Sequence, residues 1–174
     1  NKCLFEPPAV PSKTPQYGFL FRSLNKKDLF FDETQQRMIE MYRTIFVWLA
    51  NTYGMDSSKL NESSKVLKRM EEVIPTSKFK MDYRQSYQVA MLYNMIGDKS
   101  KFDEFAKIAE EGALLDKKST NPNTSSFYNP YRILLDIYEA KGEYQKALNL
   151  LNDLDQRDPS VNQKRESLKL KMSG

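Results

Sequence analysis

Apolar side chains recur along this chain in one spacing, three times over. Phe46, Leu49, Ala50 and Tyr53 stand at i, i+3, i+4 and i+7. Ser86, Val89, Ala90 and Tyr93 repeat the spacing forty residues on, and Tyr131, Leu134, Leu135 and Tyr138 repeat it forty-five residues after that. The spacing marks one face of an α-helix, and its return at that interval predicts stacked helical hairpins. The fold expected is therefore all-α: a right-handed array of about three antiparallel hairpins, with an extended N-terminal arm and a C-terminal capping helix.

The punctuation between the apolar faces places the elements. Asp32 is suited to N-cap a first helix, with Gln35 as its capping-box partner, and Gly54 to end it. Met38, Ile39, Tyr42, Ile45, Phe46, Leu49 and Tyr53 would form its buried face, and Trp48, off that stripe, would meet the arm. A second helix is expected over residues 58–74, burying Leu60, Val66, Leu67, Met70, Val73 and Ile74. The second hairpin starts near Asp82 and turns at Gly97. Its return helix, residues 100–115, would bury Phe102, Phe105, Ala106, Ile108 and Ala109. A polar loop over residues 116–126 follows. Asn129-Pro130 has the form of an N-cap and first helical position. Gly142 turns the third hairpin, and its return helix, ending near Asp158-Pro159, would bury Tyr144, Ala147, Leu148, Leu151 and Leu154. Ser160 would cap a last helix to about Met172, with Val161, Leu168 and Met172 inward and Lys164, Arg165, Lys169 and Lys171 outward.

Residues 1–31 differ, so two regions are expected: an arm over 1–31 and a helical body over 32–174. Pro7, Pro8, Pro11 and Pro15 oppose a helix; the alternating Tyr17, Phe19 and Phe21 fit a short strand or, in the absence of a second strand candidate, an arm docked on the helices, with Leu29, Phe30 and Phe31 as further anchors.

Composition narrows the chemistry. The 174 residues are 40% hydrophobic and 29% charged, as in a folded domain. The 27 basic residues are interleaved with 23 acidic ones for a net charge of +4, with no dense basic stripe, so nucleic acid is not an expected partner. Histidine is absent, which removes the usual general base and metal ligand. The lone Cys3 cannot form an internal disulfide, and adjacent carboxylates such as Glu71-Glu72 and Glu110-Glu111 diverge around a helix. No catalytic residue, cofactor or metal site is therefore expected. The longest apolar run, residues 45–50, falls far short of the ~20 residues needed to span a bilayer. A chain that begins at Asn1 is expected to be a processed form or an excised fragment.

Two resemblances add to this reading. Tyr131, Leu134, Tyr138, Gly142, Tyr144, Ala147, Leu151 and Pro159 together resemble one nearly complete tetratricopeptide repeat. The middle repeat matches at Ala90, Tyr93 and Gly97, and the first matches in its first helix alone, so this likeness spans about residues 33–159. The segment Phe21-Arg22-Ser23-Leu24-Asn25, then Asp32-Glu33, Arg37-Met38 and Tyr42-Arg43, resembles the C-terminal soluble region of a bacterial family of multi-pass membrane proteins related to protein O-mannosyltransferases. Ser23 stands where that family has glycine, and Lys26-Lys27 where Asp-Pro is usual. The resemblance implies a non-catalytic tail on the extracytoplasmic (periplasmic) face, joined to the membrane through an upstream segment and serving a membrane glycosyltransferase-like parent. A free-standing, cytoplasmic tetratricopeptide adaptor is the alternative.

The tetratricopeptide likeness also names a concave groove lined by the first helix of each hairpin: Thr44 and Asn51, then Arg84, Tyr87 and Asn94, then Asn129, Arg132 and Asp136. Arginine and asparagine there would hold the backbone or carboxylates of an extended peptide, and Tyr87 would stack on it. The bland reading is an ordinary solvated helix face, or a groove filled by the arm or the last helix. A protein or peptide is the expected partner.

Overall fold

The computed structural model describes residues 2–6, 13–14, 18–21, 23–24, 26 and 28–173. Pro7, Pro8, Pro11, Pro15, Tyr17, Arg22, Asn25 and Lys27, all used in the sequence reading, lie outside the described residues. The described residues form eight α-helices and no strand: α1 Lys2–Phe5, α2 Glu33–Gly54, α3 Leu60–Val73, α4 Tyr83–Ile96, α5 Lys99–Asp116, α6 Pro130–Ala140, α7 Tyr144–Leu151 and α8 Pro159–Ser173. The chain divides into two compact units, Asn1–Met81 with Met95–Asp98, and Asp82–Asn94 with Lys99–Gly174.

In the first unit, the start of α2 is set by a full capping box. The Asp32 carboxylate accepts from the Gln35 N–H at 2.8 Å, and the Gln35 side chain accepts from the Asp32 N–H at 3.0 Å. Two otherwise orphaned donors of the first turn are thereby satisfied. The buried face of α2 is Ile39, Arg43, Phe46, Val47, Ala50 and Gly54. This corrects the expected stripe: Met38 and Ile45 are exposed, and Tyr42, Leu49 and Tyr53 are half-buried. The face is rotated because Arg43 belongs to the interior. Its two terminal nitrogens donate to the Phe79 carbonyl at 2.7 Å and to Glu40 at 2.5 Å, charge-assisted bonds that partner a buried cation. Trp48, expected to meet the arm, is exposed.

A 3₁₀ turn, Ser57–Lys59, N-capped by Asp56, leads into α3, which packs along α2. Ser63 of α3 is buried and its hydroxyl donates to the Ala50 carbonyl at 2.8 Å. Val66, Leu67, Met70, Val73 and Ile74 are buried as expected, while Leu60 is half-buried. Near the N-terminus, α1 makes a single turn before the first proline. Cys3, expected in loose chain, sits in that turn, and its carbonyl accepts from the Phe19 N–H at 2.8 Å. Phe19 and Phe21 meet Tyr42 edge-on with ring centroids 5.2 and 5.6 Å away, and Phe21 lies 5.6 Å from Phe46. Of the three further anchors expected, Phe31 alone is one, against Phe79 at 5.2 Å. Leu29 and Phe30 are exposed, since nothing from α2 or α3 reaches over them.

In the second unit, Ser86, Val89, Ala90 and Tyr93 of α4 are all buried, as are Tyr131, Leu134, Leu135 and Tyr138 of α6. Tyr93 stacks on Phe105 of α5 at 5.7 Å and 16° between planes. Phe102, Ala106, Ala109 and Ala113 complete the inward face of α5; Ile108, expected inside, is exposed one step around the helix. Asn129 caps α6 through its side chain, which accepts from the Tyr131 N–H at 3.0 Å, and Pro130 takes the first helical position. Gly142 turns the chain into α7 with φ +74°, a left-handed conformation that favours glycine.

The helix α7 ends at Leu151, a full turn or more before the expected stop near Asp158. The Gln156 side chain explains the early end: its amide donates to the carbonyls of Leu151 at 2.8 Å and Leu154 at 2.6 Å, taking up acceptors that helix continuation would have used. Tyr144 and Leu148 are half-buried, and Leu150 is buried in their stead. At α8 the cap is Asp158, not Ser160. Its carboxylate accepts from the Ser160 N–H at 2.8 Å and hydroxyl at 2.7 Å, with Pro159 starting the helix. Val161 and Leu168 face inward; Met172 does not and is exposed near the end of the helix.

Two helices of this unit approach closely at Gly112 of α5, where an added Cβ would lie 2.3 Å from the Tyr83 Cβ of α4. An alanine is worth about 1 kcal/mol over glycine inside a helix, but that atom is fixed to the backbone and overpacking of this kind costs about 1–3 kcal/mol or more. Gly112→Ala is expected to lower the urea midpoint. Gly142→Ala, in open space, is expected to cost only the ~1 kcal/mol of its left-handed backbone. A stabilised Gly112→Ala would contradict the close approach.

Candidate functional site

Of the eight groove candidates, the second unit brings three into direct contact. The Tyr87 hydroxyl, from α4, donates to Asp136 Oδ2 at 2.7 Å. Arg132 Nε, one turn before Asp136 on α6, donates to the same oxygen at 2.8 Å. Tyr87 is buried, its ring 5.3 Å from Phe127, and Phe127 lies edge-on to Tyr128 at 5.1 Å. Burial first, then the hydrogen bond to Asp136, raises the Tyr87 phenol well above its ordinary value, so it stays protonated and acts as a donor. Hydrogen bonding to Asp136 raises the Arg132 guanidinium in turn.

A second carboxylate repeats the arrangement. Asp116 Oδ2, at the end of α5, accepts from the Tyr83 hydroxyl and from Arg84 at 2.8 Å. The Arg84 guanidinium also lies over the Tyr83 ring at 4.5 Å. Burial, then Asp116, pushes the Tyr83 phenol up to about 12. Both aspartates are thus held as acceptors between a phenol and a guanidinium, an arrangement that fixes and orients side chains.

The remaining candidates have other surroundings. Asn129 is the buried cap of α6, and its amide donates to the Asn121 carbonyl at 3.3 Å. Asn94 is exposed. Thr44 and Asn51 belong to the first unit; Thr44 is exposed, with its hydroxyl on the Glu40 carbonyl at 3.0 Å, and Asn51 is half-buried.

Beside the Asp136 cluster lies an open cleft of about 510 Å³. Leu135, Leu151, Leu154 and Val161 supply apolar walls; Arg132, Asp136, Asp155, Asp158 and Lys164 supply charge, and residues 122–125 form one rim. The cleft is walled by α6, by the end of α7 and the turns after it, and by the first turns of α8. Sequence reasoning named Arg132 and Asp136 but missed Asp155, Asp158 and the loop, and read Lys164 as outward. Lys164 turns instead onto Glu139 of α6. The available signal was the acid-rich segment between Leu154 and Pro159, which only the early end of α7 folds back against α6.

Glu139 ties α8 to α6. Lys171 Nζ sits 2.5 Å from Glu139 Oε1, and Lys164 holds the other oxygen. Burial opposes ionisation of this carboxyl, but the two ammonium groups outweigh it and hold the acid below its ordinary value. Among the described residues no cluster of three or more histidine, cysteine, aspartate or glutamate side chains gathers as a metal site. The chain matches no protein family, no curated protein and no solved structure.

A carboxyl held low in the folded state stabilises it above the unfolded value and loses that stabilisation as pH falls through the folded one. The wild-type chain is therefore expected to lose part of its thermal stability as the pH drops below the ordinary glutamate value of 4.5. Glu139→Gln is expected to be less stable at neutral pH and to show a flatter acid limb in melts followed by circular dichroism. Identical acid limbs would mean that the two lysines do not hold this carboxylate.

Proposed function

We propose that this chain is a non-catalytic, tetratricopeptide-like helical-repeat domain that binds an extended peptide in the cleft beside α6, α7 and α8. The observation that carries the reading is the cleft itself, whose lining combines apolar side chains with charged ones of both signs. Extended peptides are recognised in such grooves by pockets for alternate side chains and by polar groups for the backbone. Arg132 is half-exposed beyond its bond to Asp136, so its guanidinium can present further donors to a peptide carbonyl or carboxylate. Repeat character is supported by α4 and α5: Tyr83 approaches Gly112 and Tyr93 stacks on Phe105, the order expected of an antiparallel pair.

The domain would serve as the soluble C-terminal part of a membrane glycosyltransferase-like protein, on the extracytoplasmic side, where it would hold an acceptor or partner protein. Among the described residues, no helix is long and apolar enough to cross a membrane. One local feature favours this parentage over a free-standing adaptor. Ser23, where the resembling family has glycine, is the one described non-glycine residue with positive φ, at +63°. Such a backbone is what a glycine at that position would serve. Hydrophobic helices encoded upstream in the same reading frame would agree with this; a short frame without them would favour the adaptor.

Selection of random displayed peptides on the immobilised chain, followed by titration of the selected peptides, tests the cleft. Arg132→Ala is expected to weaken binding about tenfold or more, equivalent to ~1.4 kcal/mol, while Lys107→Ala on the exposed side of α5 leaves it unchanged. Selection of no peptide, or equal binding by Arg132→Ala, would contradict the proposal.

A further inference from the structure

The outer face of α2 carries an apolar stripe that stays largely exposed among the described residues. Met38, Met41, Ile45, Trp48 and Met55 are 52, 68, 43, 78 and 79% exposed. With Thr52 between the last two, they step along the helix by 3, 4, 3, 4 and 3 residues. That is the 3.5-residue period of a coiled-coil seam, and it lies opposite the face of Ile39, Arg43, Phe46 and Ala50 that packs inside. At ~1.5 Å per residue the stripe runs ~27 Å. Large exposed apolar patches on soluble proteins mark interaction sites.

We propose that this stripe is a homodimer seam, in which α2 of one copy packs antiparallel against α2 of a second copy about a two-fold axis. Three features choose a second copy over other occupants. First, the 3-4-3-4-3 spacing reads the same in both directions. An antiparallel pair then sets Met38 against Met55, Met41 against Thr52 and Ile45 against Trp48, each layer occurring twice, as an isologous interface requires. Second, the stripe positions from Met38 to Met55 bear no charge, so two copies meet along them without like-charge repulsion. Apart from Glu40, whose carboxylate lies off the stripe and is paired with Arg43, charge sits at the ends, with Arg37 and Glu33 at one and Asp56 and Lys59 at the other. The antiparallel arrangement brings the end carrying Arg37 to the end of the second copy carrying Asp56. Third, helices that lie on lipid surfaces carry lysine and arginine along their polar flank. Here Arg37 alone borders the stripe, and it is paired with Glu33 at 2.5 Å. Trp48, near the middle of the seam, has the size and position of an interface anchor.

Sedimentation equilibrium of the full 174-residue chain over the micromolar range tests this, together with the emission of Trp48, the sole tryptophan. The expected mass rises to about 41 kDa, twice the chain's 20.4 kDa, with a blue shift of Trp48 over the same concentrations. Ile45→Lys and Trp48→Glu are each expected to stay at the monomer mass. Both positions are on the surface, so both variants should keep the wild-type circular dichroism and melting. Because residue 45 of one copy faces residue 48 of the other, mixing the two variants is expected to restore a dimer. Four results would overturn the proposal: a monomer mass throughout with unshifted emission; a dimer that survives both substitutions; no dimer on mixing; or a blue shift that needs zwitterionic lipid vesicles while the protein alone stays monomeric, which would assign the stripe to a membrane surface.

Discussion

The Asp136 carboxylate is the point on which the second unit turns. Tyr87 is buried, and a buried phenol without a partner costs roughly 1–3 kcal/mol. Asp136 supplies that partner from α6, and Arg132 neutralises the carboxylate from one turn away on the same helix. The result ties α4 to α6 in a defined register, with Phe127 laid against the Tyr87 ring. Since α6 forms one wall of the cleft, the same pair helps set where Arg132 stands at its edge. A polar requirement of the interior thus positions the residue proposed to meet a ligand.

The first unit meets the same constraint in another way. Arg43 is buried in α2, where an unpaired cation would be far more costly than an unpaired phenol. Its fork reaches the Phe79 carbonyl and Glu40, so the chain following α3 is held against α2 by a charge-assisted hydrogen bond. Burying Arg43 turns the helix on its axis. Ile39, Phe46 and Ala50 go inward, and Met38, Met41, Ile45 and Trp48 are left facing water. The interior arginine and the outer apolar stripe are consequences of one rotation.

Local chemistry was well marked in the sequence. The Asp32–Gln35 capping box and the Asn129-Pro130 start depend on residues within four positions of each other, and both were legible. So were the inward faces of α4 and α6, whose buried spacing holds no charged residue. Features set by distant partners were not. Arg43 reads as polar until the Phe79 carbonyl, 36 residues away, is placed beside it, and the face of α2 was misread for that reason. The end of α7 depends on the Gln156 amide folding back, which periodicity does not encode. Within the candidate site, Tyr87, Arg132 and Asp136 were legible as positions on helix faces. Asp155, Asp158 and Lys164 join them only through the early end of α7 and the packing of α8 on it.

The most direct measurement is a double-mutant cycle on folding stability between Tyr87→Phe and Asp136→Asn. If the phenol–carboxylate pair organises this unit as described, the two losses will fail to add, with a coupling of about 0.5–3 kcal/mol between them. Strict additivity, or a Tyr87→Phe variant as stable as the wild type, would contradict the account.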